Sequence, residues 1–142
     1  MKEVAVGIIL RNGQVLACQR KRTVRYGLKW EFPGGKIEAG ETAREALIRE
    51  LHEELDIQAR PQGELLTHDW VYKESTTGTE PSGAFRITYF IVPSFSGRIV
   101  NRTFEAIRWV TPPELEQMDV LEGNRVAINI LLKRRKSNAS PL

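Results

Sequence analysis

The chain has 142 residues, 41% hydrophobic and 27% charged, with a net charge of +3. This is the length of one domain with an ordinary globular composition, which excludes wholesale disorder and supplies enough apolar material for an unstapled core. Its single cysteine, Cys18, excludes an internal disulfide and a cysteine-rich zinc site, and no apolar run approaches the ~20 residues of a membrane span.

Residues 4–10 are apolar and β-branched and predict a strand. Asn12-Gly13 follows, a two-residue hairpin signal because both turn positions need positive φ, and 15–19 is the returning strand. A loop with Lys21, Arg22 and Arg25 leads to Trp30-Glu31-Phe32 and a turn at Pro33-Gly34-Gly35. The clearest helix covers 42–55, where Thr42 and Glu45 spell a capping box and Leu47, Ile48, Leu51 and Leu55 form one apolar stripe. Residues 69–85 are polar and contain Gly78, Pro81 and Gly83, which predicts a mobile loop between strands. Strands over 86–92 and 106–110, a short helix over 112–118 with Pro in its first turn, and an amphipathic helix over 126–133 complete the order. Lys133-Arg134-Arg135-Lys136 reads as a solvated helix end rather than a nucleic-acid patch, and 137–142 as a flexible tail, leaving 1–136 as the domain. The fold class that follows is α/β (α+β), one domain with a mixed β-sheet sandwiched between helices. The start of the chain lacks a signal-peptide pattern, so the expected location is cytoplasmic.

On a helical wheel Glu50, Glu53 and Glu54 fall within an arc of about 100°, beside the buried stripe rather than opposite it. Like charges at i,i+3 and i,i+4 repel, at about 0.2–0.5 kcal/mol per exposed pair and more near a core. A hard divalent cation with oxygen ligands would offset this. Ala43 and Ala46, one turn earlier on the same arc, would let a bulky anion approach it. Gly34-Gly35 permits backbone conformations that can set a carbonyl or amide against a ligand.

Gly35, five residues, Glu41, seven residues, then Arg49-Glu50-Leu51-His52-Glu53-Glu54-Leu55-Asp56-Ile57 resembles the Nudix box, here residues 35–57. One fixed position differs: Asp56 stands where the family has glycine in a left-handed helix end, a conformation that Asp tolerates better than most residues. The likeness to MutT-type members extends to Ala5-Val6-Gly7-Ile8-Ile9, to Arg20, and to Glu31-Phe32-Pro33-Gly34-Gly35-Lys36. It implies a Nudix-type fold and hydrolysis of a nucleoside triphosphate, 8-oxo-dGTP or another dNTP, to nucleoside monophosphate and pyrophosphate. By resemblance Glu50, Glu53, Glu54 and the Gly34 carbonyl hold Mg²⁺, with Mn²⁺ as a substitute, and Arg49 orients the glutamates. Glu41 and Gly35 complete the loop–helix–loop, and Lys36 is placed to neutralise phosphate. Glu50 is the first choice for the general base and Glu105 the second.

For the base, the resemblance points to Arg20 and to Asn124, whose amide offers a donor and an acceptor. The alternative for Arg20 is a surface ion pair, and for Asn124 an N-cap of the last helix. Phe32 and Phe85 are candidates for stacking on the base, with core packing as the alternative. His52 and His68 lack a metal-binding pattern, and Cys18 reads as a small core residue. The expected partner is a nucleotide, with neither membrane nor nucleic acid engaged, and the chain a monomer or homodimer. Other readings are a Nudix hydrolase of ADP-ribose, nucleotide sugars or dinucleoside polyphosphates, and a non-catalytic nucleotide- or nucleic-acid-binding module.

Overall fold

The computed structural model describes residues 1–72 and 83–137. In chain order the strands are β1 (Lys2–Arg11), β2 (Gln14–Gln19), β3 (Trp30–Glu31), β4 (Gly34–Lys36), β5 (Gln58–Arg60), β6 (Glu64–Tyr72), β7 (Gly83–Val92), β8 (Ser94–Ser96) and β9 (Ala106–Val110). The helices are α1 (Ala43–Leu55), α2 (Pro112–Glu116) and α3 (Arg125–Ser137), with a single 3-10 turn at Glu122–Asn124. The sheet order is β3-β2-β1-β7-β6, with β4 also on β1 and β9 also on β2, while β5 and β8 pair separately.

The expected hairpin is present. Arg11 pairs with Gln14 across Asn12 and Gly13, whose φ values of 51° and 78° are those a two-residue primed turn requires. β1 and β7 run parallel from Lys2↔Phe85 to Ile9↔Val92, and β6 is antiparallel on β7's other side, so the sheet is mixed as expected.

Alternation along β1 builds two cores. Val6 and Ile8 point into a cluster with Ile128 and Leu131 of α3, while Ala5 and Ile9 point into one with Leu47, Leu51 and Leu55 of α1. Helices therefore cover both faces. Leu51 is fully buried, a burial that contributes roughly 1.5–3 kcal/mol. Helix α1 can approach β1 closely because residue 7 is glycine; a Cβ there would stand 3.2 Å from Leu47 and Leu51 methyls.

The capping box at Thr42 and Glu45 is formed, an arrangement whose Thr alone contributes about 1 kcal/mol. Asp56 ends α1 in the left-handed region (φ 59°) and returns its N–H to the His52 carbonyl. A second capping box, Thr111 with Glu114, starts α2.

Four expectations change. Pro33-Gly34-Gly35 is not a free turn: Gly34–Lys36 is a strand whose residues pair with Val4–Val6, because β1 offers it an open edge. Most of the predicted loop 69–85 that is described is strand, since its polar residues lie on an edge strand and alternate outward; 73–82 lies outside the described residues, as does 138–142 of the expected tail. Ile48 is only half-buried, the stripe being carried by Ala46, Leu47, Leu51 and Leu55. Ala46 is fully buried and Ala43 packs on the same core, so neither opens a path to a metal; their small size instead lets α1 sit close to the sheet.

Candidate active site

Helix α1 carries the acidic residues along the margin of its buried face. Glu50 and Glu54 are half-buried and Glu53 is exposed. Arg49 is the hub of this margin. Its guanidinium donates to Glu41 (2.7 and 3.0 Å), Glu50 (2.9 Å), both Glu53 oxygens (3.4 Å) and the Lys36 carbonyl (3.1 Å). That hydrogen bonding from Arg49, with a backbone N–H from Glu38, holds the Glu41 carboxyl down at about 2, and Glu41 in turn pushes the Arg49 guanidinium up. Glu41 thus ties the β4–α1 loop to the helix.

Glu54 turns the other way and accepts the Gly34 N–H at 3.2 Å. Burial pushes its carboxyl up to about 9, with the charges of Glu50, Glu31 and Glu53 adding to the rise and the Gly34 N–H opposing it. Burial also raises Glu50, against the pull of Arg49. The diglycine is required by contact. A Cβ at Gly35 would stand 2.6 Å from both Glu50 carboxyl oxygens, and one at Gly34 would run into the Ala5 carbonyl. The glutamates therefore press against bare backbone.

Among the described residues no three acidic, imidazole or thiol side chains are already gathered as a cation cage. The reason is visible: Arg49 occupies Glu50 and Glu53 while Glu54 faces Gly34. The donor set still suits a hard divalent ion, because Glu54 and Glu50 are oxygen donors whose mutual repulsion is only partly balanced by one guanidinium.

Two adjoining clefts lead away from this margin and share Val4, Val6, Arg20, Glu31, Phe32 and Phe85. One reaches Gly34, Gly35, Lys36 and Glu54, with Lys21 on its wall. The other is aromatic and ends at Tyr72, Tyr89 and Asn124. Arg20, Phe32, Lys36, Phe85, Gly34, Gly35, Glu54 and Asn124 are thus brought together around one continuous opening. Arg20 lines both clefts and is paired with Glu31 at 3.2 Å, a pair that lies mostly out of solvent rather than on the surface. Asn124 is 6% exposed and its side-chain amide donates back to the Leu121 carbonyl at 3.2 Å. It ends the 3-10 turn that runs straight into α3, immediately before the first residue of that helix.

Glu105 follows Thr103 and Phe104, which line the cleft that reaches Glu54. It accepts the Arg22 N–H at 3.4 Å, lines neither cleft, and is not among the charges acting on Glu50 or Glu54. Outside α1, the acid that acts on Glu54, second to Glu50, is Glu31, which the sequence pattern did not assign to the site. Burial raises its carboxyl while Arg20 pulls it back. The available signal was a carboxylate flanked by Trp30 and Phe32 in a short strand, hence a buried charge in need of a partner. Tyr72 and Tyr89 were also missed; nothing local marks them, since they come from separate strands. Cys18 is fully buried in the α1 core, as expected.

The site thus joins an acidic helix margin to an aromatic cleft on a mixed sheet clasped by helices. The NUDIX domain model matches residues 1–131, and the chain belongs to the Nudix hydrolase family. It is 35% identical over 138 residues to a Mycobacterium tuberculosis protein named "Putative 8-oxo-dGTP diphosphatase 2", covering 96% of this chain and 92% of the relative. It is 36% identical over 118 residues to the Escherichia coli CTP pyrophosphohydrolase, covering 82% and 81%. The solved E. coli ORF135 protein superposes with a TM-score of 0.82 at 29% identity, over 99% of this chain and 94% of that one. No helix among the described residues is long and apolar enough to cross a membrane.

Proposed function

We propose that the chain hydrolyses a nucleoside triphosphate to nucleoside monophosphate and pyrophosphate, with Mg²⁺ as the working ion and Mn²⁺ as a substitute. The observation that carries this reading is the pairing of Glu50 and Glu54 against Gly34-Gly35, at one end of an opening whose other end is aromatic. The names of the relatives, a diphosphatase for an oxidised guanine nucleotide and a pyrophosphohydrolase for CTP, support a triphosphate substrate.

Glu50, Glu53, Glu54 and the Gly34 carbonyl would hold the metal. Bound there, the ion neutralises charge on phosphate oxygens and makes a water ligand more acidic. Lys36 adds positive charge beside the phosphates. Arg49, which holds Glu50 and Glu53 in this structure, would orient both toward the ion while keeping Glu41 and the loop in place. Glu50 is the base that accepts the attacking water's proton; its half-buried carboxyl stands against the Gly35 backbone at the margin of α1. Glu105 is the weaker candidate. Phe32 and Phe85 flank the base, and Arg20 and Asn124 read its edge.

The test is a panel of normal and oxidised nucleotides with products resolved by chromatography, run with Mg²⁺, Mn²⁺ and EDTA. Monophosphate and pyrophosphate in equal amounts, lost with EDTA, are expected. Release of orthophosphate, or turnover only on ADP-ribose or nucleotide sugars, would replace this reading.

A further inference from the structure

Asn124 and Thr88 are the only buried polar residues among the described residues. Asn124 ends a three-residue 3-10 turn that has no side-chain cap and holds two backbone bonds of its own, Asn124 N–H to the Leu121 carbonyl (3.0 Å) and Arg125 N–H to the Glu122 carbonyl. So short a turn takes its orientation from what holds it. Helix α3 continues from its end, and neighbouring strands hold its start and middle. At its start, the Trp30 N–H donates to the Asp119 carbonyl (2.9 Å) and the Leu121 N–H to the Trp30 carbonyl (2.8 Å), tying the approach to β3.

At its middle, phenols from two strands meet Gly123. The Tyr89 hydroxyl, from β7, donates to the Gly123 carbonyl at 3.2 Å. The Tyr72 hydroxyl, at the end of β6, lies against the Gly123 backbone. A Cβ at position 123 would stand 2.6 Å from the Tyr72 hydroxyl and 3.3 Å from the Trp70 ring, so only glycine lets the turn settle this deeply. Both tyrosines also border the aromatic cleft that holds Asn124.

We propose that Tyr72 and Tyr89 are positioning residues for base selection: by gripping the Gly123 peptide from two strands they aim the Asn124 amide into the cleft. The inference rests on the reading of that cleft as the base site. It makes selectivity a property of the β6–β7 pair, one residue removed from the contact itself.

Tyr72→Phe and Tyr89→Phe each delete one hydroxyl and keep the ring. With kcat and KM measured separately for ribo- and deoxynucleoside triphosphates and 8-oxo-dGTP, KM for the best substrate should rise about three- to tenfold while kcat stays within about twofold. The spread of kcat/KM among bases should narrow, and the Asn124 side-chain amide resonances should shift in NMR spectra. If Tyr89→Phe does not fold, half-buried Tyr72 carries the test alone. A lowered melting temperature with equal loss for every base would reduce the tyrosines to structural props and overturn the proposal. Asn124→Ala separates the two levels. If it alters base ranking and the tyrosine variants do not, the grip is wrong and the base site stands; if it alters nothing, the base site falls and takes the grip with it.

Discussion

The acidic margin of α1 and the aromatic cleft adjoin in space but are built in opposite ways. The margin comes from one stretch, Gly34 to Glu54, in which a strand, a loop and a helix follow one another and a single arginine links four carboxylates. The cleft takes Val4 and Val6 from β1, Phe32 after β3, Tyr72 from β6, Phe85 and Tyr89 from β7, and Asn124 from the 3-10 turn. Chemistry common to every substrate can be stored in a local motif. Discrimination among bases needs surfaces from several strands, and it can therefore change without disturbing the motif.

Substitutions in the two regions should separate on this line. The largest effect is expected from Glu53→Gln, which should cut metal-dependent turnover about a thousandfold for every nucleotide with the circular dichroism spectrum unchanged, since a ligand charge is worth several kcal/mol. Near-normal pyrophosphate release would remove Glu53 from the metal site. Gly35→Ala comes next. Its Cβ displaces the Glu50 carboxyl, and a shift of that size should cost about a hundredfold in kcat. Equal activity would show that Glu50 has room to move.

Asn124→Ala should act the other way, changing relative kcat/KM among bases by about tenfold while hydrolysis of the poorest substrate barely alters. A uniform loss would erase the distinction between the two regions. For Glu105→Gln, whose carboxylate is exposed and bonded to a loop N–H, the fall should be under about threefold. Loss of the acid limb of the pH–rate profile in that variant would move the general base from Glu50 to Glu105.

The smallest effect is one of stability. Glu54 has a folded-state pKa of about 9, above its ordinary value of 4.5. The folded protein therefore binds this proton more tightly than the unfolded chain. The resulting stability is complete below pH 4.5 and is lost as pH rises towards 9. In EDTA, Glu54→Gln should melt a few degrees higher than the parent at pH 8, and Mg²⁺ should raise the parent's melting temperature but not the variant's. Identical EDTA melting curves would mean that Glu54 is not held against its neighbours' charge.

Much was legible in the sequence because its cause is local. Asn12-Gly13 needs only its own φ values, Thr42 and Glu45 cap α1 within one turn, and the spacing of Glu50, Glu53 and Glu54 makes them neighbours on any helix. Asp56 could be placed in the left-handed region because the helix must end there.

Tertiary packing decided what depends on which neighbour arrives. Ala46 and the glutamates share one arc of the wheel, and only the approach of β1 at Gly7 determined that the alanine is core and the acids are margin. Gly34–Lys36 became a strand because β1 left an edge unpaired, and Glu31 entered the site because β3 lies beside β2, where Arg20 follows the strand. The base cleft was the least legible part. Tyr72, Tyr89 and Asn124 are far apart along the chain, and a side chain's partner across a sheet is set by strand order and register, which no local pattern contains.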